Sequence, residues 1–226
     1  MTTTYSESPG THMIVLPGGG YAQHAGHEAE PVAGWLGEIG VQASVFRYPL
    51  NVRHPAPLDA LRAEIGRRRA AGAQRIGLIG FSAGGHLAGL AALAPGAAPE
   101  QTVQFAVLGY AITSMETETY RPARLILLGE DASPQLRRST SLDSLVTQQS
   151  PPFFVWHTAE DPYVPPEHTY RFAGALAASD VPHAVHMFTY GPHGLGLAEG
   201  AGEAAIWTTL AKAWIHEQAA PPGRFS

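Results

Sequence analysis

The sequence predicts an α/β fold, a three-layer α/β/α sandwich around a mostly parallel sheet of about six strands. Three observations predict it. Short apolar runs recur along the chain, each followed by a stretch with helical spacing, which is the pattern of strand–helix–strand units. Turn signals such as Pro17-Gly18-Gly19-Gly20 and Pro95-Gly96 close several of these pieces. The chain has 226 residues, 45% apolar and 15% charged, and a chain of that size can bury about 70% of its unfolded surface in one core. Residues 1–226 read as a single domain, with 114–150 set apart as a small cap or substrate-side insertion.

The elements follow in order. His12 to Leu16 is a short buried strand stopped by Pro17. From Glu28 to Ile39, Val32, Trp35, Leu36 and Ile39 share one helical face, and Gly40 ends the helix. Val41 to Tyr48 is the next strand, and Leu58, Leu61 and Ile65 mark an amphipathic helix ending near Gly72. Arg75 to Phe81 is a third strand, continued by the small-residue helix Ala83 to Ala94. Val103 to Tyr110, Phe153 to His157 and Ala184 to Phe188 complete the strands, and Pro166 to Ser179 and Ala204 to His216 complete the helices. Thr113 to Pro152 is polar and lacks a strong period, which predicts irregular or short-helical structure. Crossovers between parallel strands are right-handed, and such sheets take ligands at the carboxyl ends of their strands.

Charge and composition exclude several classes. Fourteen Lys+Arg against nineteen Asp+Glu give a net charge of -5, whereas a duplex-binding protein needs a basic stripe. The absence of cysteine removes disulfide scaffolds, zinc–thiolate sites, iron–sulfur clusters and thiol catalysis. No 18-residue apolar run is present, and Met1 to Gly10 is polar without an apolar signal core. The expectation is therefore a cytoplasmic protein without nucleic-acid or membrane partners.

The loops at the strand ends hold the residues with chemistry. Gly80-Phe81-Ser82-Ala83-Gly84 is a G-x-S-x-G turn between a strand and a helix. In that context the turn exposes the Ser82 hydroxyl at a helix N-terminus, where a developing oxyanion is favoured. The structural alternative is a tight turn that only lets strand and helix pack. A serine needs a base. Among eleven histidines, His193 stands out in Gly191-Pro192-His193-Gly194, directly after the last strand. His86 lies one turn past Ser82 and is expected to be packed or hydrogen-bonded, His157 closes a strand, and His183 and His186 point to opposite faces of theirs. The imidazole needs a carboxylate. Asp161 follows the fifth strand, with Glu160 as the neighbouring alternative and capping of the helix at Pro166 as the alternative role for Asp161. Candidate oxyanion donors are the N–H of Ala83 and that of Gly19 or Gly20. Tyr21, His24, Tyr48 and Tyr163 are candidate substrate contacts at the rim. His24-x-x-His27 with Glu28 and Glu30 lacks a third placed ligand, so it is read as a polar rim or helix start rather than a metal site.

Taken together in this order, Pro17 to Tyr21, Gly80 to Ala88, Asp161 to Pro165 and Pro192 to Gly194 resemble the α/β-hydrolase esterases, and most of all the acetyl esterase and acetyl xylan esterase-like branch. The likeness covers roughly Met13 to His216, and Leu127 to Glu130 and Ser150 to Pro152 fit it as well. It implies the α/β-hydrolase fold in trimmed form, since larger members carry two strands ahead of the oxyanion strand. Pro17 stands where related loops place a histidine. It also implies a serine carboxylesterase for acetyl or other short esters of a carbohydrate or small polar alcohol. Ser82, Asp161 and His193 would be the triad, with no cofactor or metal and with an ester substrate as partner; a homodimer is the assembly left open. Relatives include feruloyl esterases, cephalosporin-type deacetylases, arylformamidases and oligopeptidase-like hydrolases. The non-enzymatic alternative is a ligand-binding protein with vestigial chemistry, but all three triad positions are filled. The polarity of Thr113 to Pro152 supplies no apolar wall for a long acyl chain, which is the reason for expecting a short one.

Overall fold

A computed structural model describes residues 10–219; of the polar stretch Met1 to Gly10, all but Gly10 lies outside the described residues. The strands are β1 (Thr11–Leu16), β2 (Gln42–Val45), β3 (Arg75–Phe81), β4 (Phe105–Gly109), β5 (Phe153–Thr158) and β6 (His183–Phe188). They form one six-stranded sheet in the order β2-β1-β3-β4-β5-β6, and every neighbouring pair is parallel. The helices are α1 (Glu30–Glu38), α2 (Ala56–Ala70), α3 (Ser82–Leu93), α4 (Arg121–Leu128), α5 (Pro134–Ser139), α6 (Glu167–Ala178) and α7 (Trp207–Ala219). Among the described residues, no helix is long and apolar enough to cross a membrane.

Successive side chains of a strand point to opposite faces, and the strands are apolar on both. Ile14, Leu16, Leu78, Leu108 and Val155 enter one core with α2, α3 and α6. Met13, Val15, Ile79, Val107 and Trp156 enter the other with α1 and α7. In this second layer the rings of Trp156 and Trp207 stack with centroids 4.9 Å apart. The near-continuous apolar runs of the strands are thus the signature of a sheet covered on both sides.

The chain leaves β1 for β2 on one side, then crosses to β3 on the other. The connections after β1 and β3 therefore diverge, which opens a crevice at the carboxyl edge. Pro17 to Gly20 and Ser82 lie at this point.

The second strand and the last helix differ most from the sequence expectation; the boundaries elsewhere lie within about two residues of it. The second strand ends at Val45 rather than Tyr48. Phe46 N–H still reaches Val15 O at 2.9 Å, but Tyr48 turns inward and its hydroxyl donates to Pro17 O at 2.8 Å. The last helix begins as a 3₁₀ turn, Gly202–Ile206, before α7. The segment from Thr113 to Pro152 carries α4, α5 and a 3₁₀ turn, Leu142–Ser144. Its helix α4 is amphipathic: Ala123, Leu127 and Leu128 are buried, and they join the same core as α3 together with Met115 and Leu142. The short run Arg-Pro-Ala-Arg-Leu-Ile-Leu-Leu is too brief to declare a period by itself.

Leu142 is fully buried, its N–H donates to Thr113 O at 2.7 Å, and its side chain lies against α3. Leu142→Ala is expected to cost about 2–5 kcal/mol. Calorimetry is expected to show one cooperative transition at lower Tm. An unchanged midpoint would mean that the insertion is a separate cap rather than part of the core.

Candidate active site

Ser82 is the first residue of α3 and adopts a φ of 51°, in the left-handed region that side chains disfavour. The neighbouring glycines make this turn possible. A Cβ on Gly80 would lie 2.4 Å from Gly84 O, and one on Gly84 would lie 2.2 Å from Leu16 O. The obstacles are backbone atoms, so no side-chain rotation relieves them. The turn leaves the first N–H groups of α3, Ala83 among them, without intrahelical acceptors.

His193 reaches this turn from the loop after β6. Its Nε2 lies 2.8 Å from Ser82 Oγ and its Nδ1 lies 2.6 Å from Asp161 Oδ2. With Nδ1–H donating to the carboxylate, Nε2 is free to accept the serine proton. Asp161 is held from several sides. Its Oδ1 accepts the N–H groups of Tyr163 at 2.8 Å and Val164 at 2.9 Å. Its Oδ2 also pairs with His157 Nε2 at 3.0 Å, and His157 Nδ1 in turn meets Thr169 Oγ1 at 2.9 Å. Burial alone would raise the Asp161 pKa, but the hydrogen bonds from His157 and His193 prevail and hold it well below the usual carboxylate range. Of the two carboxylates considered from sequence, Glu160 is exposed and only Asp161 faces His193. Asp161 does not cap the following helix either; its turn partners are Tyr163 and Val164, and α6 begins with no side-chain cap.

A cavity of about 380 Å³ opens beside Ser82 and His193. Gly19, Gly20, Tyr120 and Tyr163 line it, and Pro122 and Ile126 of α4 add apolar surface. Among the described residues, the N–H groups of Gly19 and Gly20 have no hydrogen-bond partner, while Gly19 O accepts from Ala22 and Gln23. Tyr163 is 56% exposed beside the cavity, with its ring 5.8 Å from that of His193.

The other rim candidates need correction. Tyr21 and Tyr48 are buried beneath the loop, their hydroxyls bonded to His86 Nδ1 at 2.7 Å and Pro17 O at 2.8 Å. An apolar ring with one satisfied hydroxyl belongs in a core, not at a wet rim. His24 packs edge-on against Tyr48 at 4.7 Å and does not line the cavity. His27 parts from it and meets Gly194 O at 2.8 Å. Three residues escaped sequence reasoning. His157 was legible only as a polar residue inside an apolar strand. Glu28 looked like a rim residue but is 2% exposed. Tyr110 directly follows β4, with its ring 5.0 Å from that of His193.

Comparison with known proteins shows what the chain is similar to. The BD-FAE family pattern matches residues 68–176. The structure of an acetyl ester-xyloside bifunctional hydrolase from Caldicellulosiruptor lactoaceticus superposes with a TM-score of 0.87 and 37% identity, covering 92% of this chain and 82% of that one. The carboxylesterase Cest-2923 from Lactobacillus plantarum WCFS1 gives 0.78 and 31%, covering 99% and 91%. The chain belongs to the α/β-hydrolase esterases. Endo-1,4-beta-xylanase B of Butyrivibrio fibrisolvens is 31% identical over 206 residues, 82% of this chain. The chain spans about a third of the length of that xylanase, 32%.

Behind the serine turn of this esterase fold lies His86, fully buried. It accepts from the Tyr21 hydroxyl at Nδ1 and donates through Nε2 to Thr140 O at 2.7 Å, which fixes it as the neutral ring. Burial pushes its pKa down from 6.5 to about 4. Burial also lowers His168, His54 and His12. The unfolded chain takes up protons in this window that the folded chain refuses, so stability is full above the unfolded value and declines as pH falls from 6.5 towards 4. His86 alone accounts for about 1 kcal/mol per pH unit there. Urea unfolding between pH 7.5 and 4.5 is expected to show this decline, with a shallower slope for His86→Gln. A wild-type stability that is flat across the window would contradict it.

Proposed function

We propose that this chain is a serine esterase that releases short acyl groups, acetyl foremost, from a carbohydrate or similarly polar alcohol. The observation that carries the proposal is the continuous hydrogen-bond chain Ser82–His193–Asp161, with distances of 2.8 and 2.6 Å, at the mouth of a cavity. Ser82 Oγ attacks the acyl carbon while His193 Nε2 takes its proton. The Asp161 carboxylate orients the ring and stabilises the imidazolium. The oxyanion is received by the N–H of Ala83 and by that of Gly19 or Gly20, aided by the positive end of α3. His193 returns the proton to the departing alcohol. Water then repeats the sequence on the acyl-enzyme and releases the acid and free Ser82.

Substrate class follows from the walls. Ala22, Ala25, Pro122, Ile126 and the rings of Tyr120 and Tyr163 give the cavity apolar lining, while Gln23, His27 and Glu28 give it a polar side. Each further methylene is worth about 0.8 kcal/mol only where an apolar surface receives it, and among the lining residues Ile126 is the one branched aliphatic side chain. The exposed rings of Tyr120 and Tyr163, edge to face with centroids 5.7 Å apart, suit the C–H face of a sugar at the open end. An acetyl ester-xyloside hydrolase among the solved relatives supports the same class.

The experiment is kcat/KM for p-nitrophenyl acetate, butyrate, octanoate and palmitate, together with acetate release from acetylated xylo-oligosaccharides. Acetate and butyrate are expected to be preferred. A maximum at octanoate or beyond would replace this reading with a lipase-like one, preference for a feruloyl ester would move the acyl assignment, and cleavage of formyl amides alone would indicate an arylformamidase. Ser82→Ala is expected to lower turnover by about 10⁶ and to abolish fluorophosphonate labelling, and Asp161→Asn to lower kcat by about 10⁴.

A further inference from the structure

Glu28 is an acidic side chain in an unusual position: 2% exposed, outside the Ser82–His193–Asp161 chain, and with both oxygens engaged. Gly18 N–H donates to its Oε2 at 2.6 Å. The Tyr110 hydroxyl donates to its Oε1 at 2.7 Å, and the same hydroxyl accepts Gly196 N–H at 2.7 Å. The result is a continuous path from Gly18, after β1, through Glu28 and Tyr110, after β4, to Gly196, after β6. Its two ends lie on the loop of the proposed oxyanion donors and on the loop of His193.

Further contacts reinforce this path. His27 donates from Nε2 to Gly194 O at 2.8 Å, a second tie between the same two loops. A Cβ on Gly18 would lie 2.7 Å from Glu28 Oε2 and 3.0 Å from Ser82 Cβ, so the oxyanion loop is pressed between the carboxylate and the serine. Tyr110 takes a positive φ of 37° at the strand end, which aims its ring between His193 and Trp156, both 5.0 Å away between centroids. Burial, with Glu28 alongside, pushes the Tyr110 pKa well up, so its hydroxyl keeps the proton it donates.

A buried carboxylate is a poor source of stability, since its desolvation cost rivals what its hydrogen bonds return. It is a good source of geometry, because an ionised carboxylate only accepts and so draws donors to fixed places. We infer that Glu28 and Tyr110 are positioning residues whose bridge sets the separation between the Gly19/Gly20 N–H donors and His193 Nε2 on either side of Ser82. Neither reacts with substrate. The inference rests on the serine-esterase reading above and adds to it the parts that hold its two halves in register.

Tyr110→Phe, Glu28→Gln and the double variant test the bridge. Tyr110→Phe keeps the ring against His193 and Trp156 and removes only the hydroxyl, so it remains informative if Glu28→Gln does not fold. Active sites are counted by the fluorophosphonate labelling endpoint, and kcat and KM are measured with p-nitrophenyl acetate. Each single variant is expected to lose about 10- to 100-fold in kcat per labelled site, the usual cost of a misplaced reacting group, with a parallel loss in labelling rate. KM should change by less than about threefold, because substrate binding is not what the bridge provides. The double variant should cost no more than the worse single one, because both cut one path. Full kcat per labelled site in Tyr110→Phe, or losses that multiply in the double variant, would overturn the bridge even if Tm falls. If wild-type hydrolysis survives Ser82→Ala, the serine-esterase reading fails and this inference falls with it; if hydrolysis depends on Ser82 but not on Tyr110, only the bridge is lost.

Discussion

The contact on which the site depends is the one between the end of β1 and the start of α3. Gly84 lies so close to Leu16 O and Pro17 O that a single methyl group would not fit. That contact sets the first turn of α3 directly beside the loop after β1. Ser82 takes its left-handed conformation within this turn, at an energetic cost of order 1–3 kcal/mol that the surrounding packing must outweigh. The sheet order then does the rest. With β1 and β3 adjacent and their outgoing chains diverging, the serine and the glycine loop face each other across the crevice without any long connection to hold them.

Two buried carboxylates flank this crevice, and they are satisfied by different means. Asp161 collects two backbone N–H groups and two imidazoles. Glu28 collects one backbone N–H and one phenol hydroxyl. A charge buried without such partners would simply take up a proton. In Asp161 the partners keep it ionised, and one imidazole is His193 itself. His157 therefore has a consequence for the proposed chemistry despite never approaching Ser82. By donating to the same Oδ2, it favours the charged carboxylate, which is the form that holds the His193 Nδ1 proton. The strand that carries His157 is otherwise apolar up to Thr158 at its end, so the buried imidazole is tolerated only because both ring nitrogens are engaged.

Much of this was legible in the sequence, for physical reasons that also mark where legibility stopped. Strand and helix positions are encoded locally by apolar spacing and by turn residues, so β3 was read without error and the others to within a few residues. Ser82 opens the helix directly after β3, and Asp161 and His193 sit in loops after β5 and β6; chain segments leaving the strands at that edge converge by topology alone. Tyr21, His24 and Tyr48 were misjudged because sequence proximity to the glycine loop says nothing about which way a side chain turns. Tyr21 and Tyr48 turn inward, where their rings meet edge to face at 5.7 Å and each hydroxyl finds an acceptor. Glu28 and Tyr110 are 82 residues apart, and no local pattern connects a glutamate near a helix start with a tyrosine after a strand. Within Thr113 to Pro152, read as irregular or short-helical, α4 had no bounds in the sequence because it is barely two turns long and its core-facing residues are mixed with arginines.

That helix decides how the cavity can discriminate. A wall can select acyl length either by closing over the substrate or by standing still, and α4 has the fastenings of a fixed wall. Ala123, Leu127 and Leu128 are packed into the core. His54 N–H donates to Leu127 O at 2.8 Å, and the Arg53 guanidinium donates to the carbonyl oxygens of Leu125 and Ile126. Arg124 donates to Thr117 O at 3.1 Å from the other side. Moving the helix would expose three apolar side chains, at roughly 1.5–3 kcal/mol for each large one, besides breaking these bonds. A preference of a few kcal/mol between acyl chains could not drive such a movement. On the short-acyl esterase reading proposed above, selection would rest on the shape that Pro122 and Ile126 already present, a longer chain lacking surface to meet it rather than being shut out by a gate.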